Sequence, residues 1–129
     1  MTHYLGYKCS ICHKEYLPAS IIYSCPQCGG NLDVVLDYDR IRQKYQPEDI
    51  TSRNDYSLWR YLPLLPISDP GGDGTPLRYA GWTPLYSPPA LKKKLGLQDL
   101  WIKDEGRNPT ASFKDRASSV VVGRAREIH

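Results

Sequence analysis

No stretch of this 129-residue sequence approaches the roughly 18 consecutive apolar residues that a membrane-spanning helix needs. The opening "MTHYLGYKC" also lacks the apolar core of a secretion signal, so a cytoplasmic chain without membrane association is expected. Charge of one sign is missing too. The net charge is only +3 with 24% charged residues, which removes the strong field of a polyanion-binding protein. Phenylalanine occurs once, and the aromatic content comes mainly from 10 tyrosines. Length allows one domain or two very small ones. Cysteine is scarce as well, with four residues, and in a reducing compartment four cysteines point to metal ligands before two disulfides.

Their spacing strengthens that reading. Cys9-Ser-Ile-Cys12 and Cys25-Pro-Gln-Cys28 form two CxxC pairs, with twelve residues between Cys12 and Cys25. Each pair fits a tight turn that aims two thiolates at one point. Two such turns make the tetrahedral four-sulfur shell that Zn²⁺ accepts at about 2.3 Å. Zinc is the expected ion, and iron in a rubredoxin-like site is the other occupant such a shell takes. "CSICH" also matches the haem-attachment string. That chemistry requires export and leaves Cys25 and Cys28 unexplained, so His13 is expected to be a hydrated knuckle residue. Residues 1–38 carry Lys8 and Lys14 against Glu15, Asp33 and Asp37, a net −1. Four thiolates on one divalent ion add roughly −2, and such a module repels phosphate. The expectation is a structural zinc ribbon and no nucleic-acid partner. The run Lys92-Lys93-Lys94 is then the solvated face of a helix.

Three segments follow from the pattern. Residues 1–38 are expected to form two β-hairpins, "YLGYKC" with "KEYLP" and "IIYSC" with "NLDVVLDY". Residues 39–80 are a helical and Pro/Gly-rich connector. In it "YDRIRQKY" is one short helix and "NDYSLWRYL" another, capped by Asn54 or Asp55 and ending before Pro63; "PLLPISDPGGDGTP" is the hinge. Residues 81–129 run strand–helix–strand–helix, the opening of an α/β domain: "WTPLY", "PPALKKKLGL" ending near Gly96, "DLWIK", and a final helix. Ser112 caps that last helix with Asp115 three residues on, a capping-box pattern. Phe113, Ala117, Val120, Val121 and Ala125 share one stripe expected to face the core.

The densest chemical signal is "NPTASFKDR", residues 108–116, which sets Lys114 in the first turn of that helix. The positive end of the helix dipole disfavours a second positive charge there, and a neutral amine is the nucleophile that condenses with a carbonyl cofactor. By position alone, Lys114 reads as an ordinary solvated lysine, as most lysines near helix starts are. The letters around it decide: "NPTASFKDR" resembles the lysine motif of fold-type II pyridoxal-phosphate enzymes, and its Ser-Phe-Lys-Asp-Arg form is most similar to that of threonine synthases. "WTPLY" resembles their Thr-Pro-Leu strand, "LWIKDEGRNPT" their strand and loop before the lysine, and a four-Cys ribbon ahead of these elements is also found among them. Two positions depart, since Ala111 and Ala117 stand where the family usually has Gly.

The resemblance implies an α/β fragment, a zinc ribbon of two hairpins followed by the start of a fold-type II catalytic domain. It implies pyridoxal 5'-phosphate on Lys114 as a Schiff base, with Asn108, Ser112, Asp115 and Arg116 around the cofactor and Cys9, Cys12, Cys25 and Cys28 on structural zinc. It implies conversion of O-phosphohomoserine and water to threonine and phosphate, with a homo-oligomer left open for the intact enzyme. Family members are several hundred residues long, so the chain is expected to be a truncated piece that alone lacks the phosphate cradle and is inactive. A β-replacement synthase, a serine/threonine ammonia-lyase and a free-standing non-enzymatic zinc-ribbon module remain alternatives.

Overall fold

The computed structural model describes residues 3–19 and 23–128. Strand β1 (Tyr4–Cys9) lies at the centre of a three-stranded antiparallel sheet, flanked by β2 (Glu15–Tyr16) and β3 (Leu32–Leu36). Tyr7 pairs with Tyr16 on one side and Val34 on the other, and Cys9 faces Leu32. The expected first hairpin is therefore present. Among the described residues the second is not seen: β3 pairs with β1 and Tyr23 and Ser24 form a bend, while Ile21 and Ile22 of that expected strand lie outside the described residues. The physical reason is register. Pairing Leu32 with Cys9 brings the second CxxC turn alongside the first, which a separate hairpin would not do.

Helix α1 (Tyr38–Lys44) begins at Asp37, whose carboxylate accepts from the Arg40 amide at 2.9 Å. It buries Ile41 against Tyr4 and Leu36, with Tyr7 and Tyr45 packed around them. A short α2 (Pro47–Thr51), not expected from the sequence, starts on proline; its Asp49 carboxylate accepts from the Gln46 amide at 2.7 Å. The expected helix over "NDYSLWRYL" is instead a 3₁₀ segment, Leu58–Leu64, capped by Ser57 and containing Pro63. A tight helix of this kind tolerates proline where a continuing α-helix would not. Its Trp59 is fully buried, and the indole N–H donates to the Leu77 carbonyl at 2.9 Å.

Beyond the connector, β4 (Leu85–Tyr86), α3 (Pro89–Leu95), β5 (Ile102–Lys103) and α4 (Lys114–Ile128) follow in the expected order. Gly96 ends α3 in the left-handed conformation at φ 65°. The two strands pair antiparallel, Leu85 with Lys103 and Tyr86 with Ile102, not as the parallel pair usual for a strand–helix–strand unit. Helix α4 reverses the expected stripe. Phe113 and Val121 are each 66% exposed, while Asp115, Ser119 and Gly123, spaced by four, face inward. Close approach selects that face: a Cβ on Gly123 would sit 2.7 Å from the Ile67 side chain. Arg124 links α4 to the first sheet, donating to the Pro18 carbonyl at 2.8 Å with its guanidinium 5.3 Å from the Tyr4 ring. Among the described residues no helix is long and apolar enough to cross a membrane.

Candidate functional site

Two groups of side chains carry chemistry. In the first, Cys9, Cys12, Cys25 and Cys28 place all four sulfurs within 4.8 Å of one another. The two CxxC segments are the same turn built twice. The Cys9 amide donates to the Lys14 carbonyl and the Cys25 amide to the Gly30 carbonyl; His13 and Gly29 donate back to the carbonyls of Cys9 and Cys25. The residue after each second cysteine is left-handed, with φ 60° at His13 and 72° at Gly29. His13 is thus exposed on the knuckle and occupies a turn position, as expected of a residue that is not a ligand.

Cys9 to Cys28 and Cys12 to Cys25 are each 3.5 Å between sulfurs, far beyond the roughly 2.05 Å of a disulfide. The spacing suits a tetrahedral ion, whose sulfurs lie about 3.8 Å apart for bonds of about 2.3 Å. The amides of Ile11 and Cys12 point at the Cys9 sulfur from 3.4 and 3.5 Å. Tyr16, which the sequence suggests only as hairpin packing, brings its hydroxyl 3.0 Å from the Cys25 sulfur. That contact, helped by the amides of Cys28 and Gln27, brings the Cys25 thiol down to about 6 and raises Tyr16 to about 12. The Cys12 amide chiefly, and then that of Ile11, lowers Cys9. At Cys12 the Lys14 amide pulls down, but burial and the neighbouring sulfurs together carry it up to about 12. Cys9, Cys12 and Cys25 are thus pulled in different directions, and a cation is what would let the four sulfurs be thiolates together.

The second group is the loop before α4. Lys114 is the first residue of the helix and is exposed. The Ser112 hydroxyl accepts from its amide at 3.2 Å. The capping box is displaced: the Asp115 carboxylate reaches past Ser112 to accept from the Thr110 amide at 2.8 Å and from the Thr110 hydroxyl. Asn108 is buried, its Oδ1 accepting from the Gly81 amide at 2.9 Å and its Nδ2 donating to the Glu105 carboxylate at 2.9 Å. Gly81 is required there, because φ is 88° and a Cβ would lie 2.8 Å from the Leu58 amide. Arg116 donates to Glu105 at 2.7 and 2.8 Å and to the Thr83 hydroxyl at 3.2 Å. Thr83 in turn donates to Glu105 at 2.6 Å, and the Lys103 amine donates to the Thr83 carbonyl at 2.6 Å.

Glu105 is thus the hub, and its paired Arg116 holds the carboxyl down at about 2, with help from Thr83 and Asn108. The structure brings Asn108 and Arg116 together around it and sets Asp115 and Ser112 on the helix start; Lys114 stands clear of the network. The sequence pattern does not single out Glu105 or Thr83, though they lie inside "LWIKDEGRNPT" and "WTPLY". Ala111, one of the two departures, has φ 56°, a left-handed position where glycine costs least. Ala117, the other, is exposed on α4.

Residues 77–129, the segment that holds this loop, match the family model described as Pyridoxal-phosphate dependent enzyme. Over that segment the chain is similar to those enzymes. It is 42% identical over 121 residues to a threonine synthase of Methanocaldococcus jannaschii, covering 94% of the chain and 29% of that protein. A threonine synthase of Methanosarcina acetivorans is 40% identical over 122 residues, covering 94% of the chain and 28% of its own length. A cysteate synthase of Methanocella paludicola is 30% identical over 131 residues, covering 93% of the chain and 26% of that protein. The chain thus spans under a third of the length of these curated relatives. No solved structure matches it.

Proposed function

We propose that this chain is the N-terminal part of a threonine synthase, converting O-phosphohomoserine and water to threonine and phosphate. Residues 1–38 are its zinc ribbon, 39–80 a connector and 81–129 the start of the catalytic domain. The observation that supports this most is Lys114 at the first position of α4, behind a loop fixed by the Glu105–Arg116–Thr83–Asn108 network, inside the segment the family model matches. Similarity to threonine synthases over nearly the whole chain supports the particular reaction.

In this reading the Lys114 amine would hold pyridoxal phosphate and, when free, would move protons at the substrate's α and β carbons. The bound cofactor supplies an electron sink for the charge left by proton removal. Asn108, Ser112, Asp115 and Arg116 shape the loop around the cofactor. Fixing the loop fixes where the lysine's backbone starts, so the flexible amine searches less space. The four thiols hold structural Zn²⁺, supported by the sulfur spacing and by the paired knuckles. The protein works in the cytoplasm with an amino-acid substrate, and its ribbon does not bind nucleic acid.

One observation favours a second reading. The cysteate synthase relative leaves open a different pyridoxal-phosphate synthase reaction on the same lysine. Phosphate release from O-phosphohomoserine by the complete protein, with product identified by chromatography, separates the two. Threonine formed at a turnover that Lys114→Ala lowers by about 10³-fold or more supports the first. No threonine from the wild-type protein, or turnover retained in the variant, contradicts it.

A further inference from the structure

We infer that the metal centre has a further protein partner beyond its four cysteines: the Tyr16 hydroxyl donates a hydrogen bond to the Cys25 thiolate and holds that sulfur on the ion. This builds on the four-thiolate shell proposed above.

The two knuckles repeat one turn, but their buried sulfurs meet different donors. Cys9 and Cys25 lead the two CxxC pairs and are buried, whereas Cys12 is half-buried and Cys28 exposed. The amides of Ile11 and Cys12 point at the Cys9 sulfur from within its own turn. Cys25 receives a donor from outside its turn, the Tyr16 hydroxyl at 3.0 Å. Among the described residues no other hydroxyl makes a hydrogen bond to any of the four sulfurs. A thiol and a phenol can share a proton either way round. A thiolate on an ion has no proton to give, so the phenol must be the donor. A hydroxyl aimed at an anionic sulfur makes a charge-assisted bond, stronger than a neutral one. It also draws charge out of a shell in which four thiolates outweigh one divalent ion.

The fold builds this contact. Strand β2 has only two residues, and Tyr16 is the second, paired with Tyr7 of β1. The two strands approach so closely at Gly6 that a Cβ there would overlap the Tyr16 carbonyl oxygen, and the φ of 139° at Gly6 suits only glycine. With its backbone placed by that approach, Tyr16 keeps its ring half-buried, and its hydroxyl has Cys25 as its one hydrogen-bond partner among the described residues. Phenylalanine would keep the ring and lose only the donor. Tyr16 acts on the metal through Cys25 and is therefore a positioning residue: it sets how long the ion stays, not whether the shell can form.

The full 129-residue chain loaded with Cd²⁺ in an NMR-active isotope tests this, with Cd²⁺ standing in for zinc. A scalar coupling between the metal nucleus and the Tyr16 hydroxyl proton, carried through the Cys25 sulfur, is expected. Tyr16→Phe should abolish it, shift the cadmium resonance and speed transfer of the metal to a chelator by about tenfold or more, the size usual for groups that support metal ligands. Tyr7→Phe, which removes a hydroxyl from the same sheet, should leave resonance and transfer rate unchanged. The coupling is read in the unsubstituted chain, so the test stands even if the Tyr16 variant fails to fold. Cadmium held by the four thiolates without that coupling, or a resonance that Tyr16→Phe leaves in place or that both variants move equally, would overturn the inference and leave the metal shell standing. A chain that binds no Cd²⁺ would overturn the shell itself, and this inference with it.

Discussion

The cysteine knuckles and the lysine loop solve the same problem by different means. Both must hold a short irregular segment in one conformation, and neither has a large apolar core beneath it. Around the knuckles, the apolar cluster is Tyr4, Leu36 and Ile41, small for a sheet of three short strands. Four converging sulfurs and two repeated turns supply the rest. Around the lysine loop the buried groups are polar: Asn108, Asp115, Ser119 and Thr83 are inside, while Leu85, Tyr86, Trp101, Phe113 and Val121 are exposed. There a directional hydrogen-bond network centred on Glu105 does what sulfur does at the front. A metal centre forms or fails as a unit, since all its ligands share one ion. A network loses bonds one at a time, with the greatest cost where a charge is left alone.

The largest expected effect is therefore at the front. Removing the metal with a chelator, or replacing Cys9 by Ser, should unfold the three-stranded sheet, because binding free energies of structural zinc sites are on the order of 10 kcal/mol. Hydrogen exchange resolved by residue checks it: amides of β1, β2 and β3 should lose protection while those of α4 keep most of theirs. Equal loss in both regions would show that they are not held separately.

Next in size is Arg116→Ala, which strands the Glu105 carboxylate and removes three donor contacts. Both side chains keep partial exposure, 30% and 25%, so the expected loss is about 1–3 kcal/mol, seen in denaturant melts of the back half only.

Acid gives a graded version of the same test. Glu105 sits at about 2 in the folded chain against an ordinary 4.5, so its contribution is complete above about 4.5 and is lost as pH falls from there toward about 2. Glu105→Gln should flatten stability across that window and leave it lower at neutral pH. If the variant and the parent fall in parallel below pH 4.5, the network does not carry the acid limb.

The smallest expected effects come from backbone conformation. Ala111 at φ 56° and His13 at φ 60° each hold a left-handed position, so Ala111→Gly and His13→Gly should each stabilise by about 1 kcal/mol or less, one in each region. Thermal melts of the two variants, with the metal bound, measure this. Destabilisation by either would mean that its side chain makes a contact worth more than the backbone relief.

What was legible in the sequence divides along the same line. The four cysteines were readable because metal geometry imposes spacing, and the structure gathers them. The helix over 38–44 and the Gly96 stop were readable because caps act over a few residues. The partner of β3 was not, since strand pairing depends on contacts far apart in the chain. The buried face of α4 was misjudged because apolar periodicity marks a core only when apolar residues line it, and here Asp115, Ser119 and Gly123 do. The 3₁₀ segment over 58–64 is not legible because proline reads as a stop to an α-helix. The lysine loop is legible from its resemblance and not from composition or period, and Glu105, its hub, lies outside the lysine motif of residues 108–116.

The central claim is that Lys114 is the residue that holds pyridoxal phosphate. Borohydride reduction of the complete protein loaded with that cofactor, followed by peptide mapping, tests it most directly, because reduction makes the lysine–cofactor bond permanent. The account predicts one label per chain, on Lys114, with Lys103 and the Lys92–Lys94 run untouched. A label on another lysine, or one scattered among several, would contradict it.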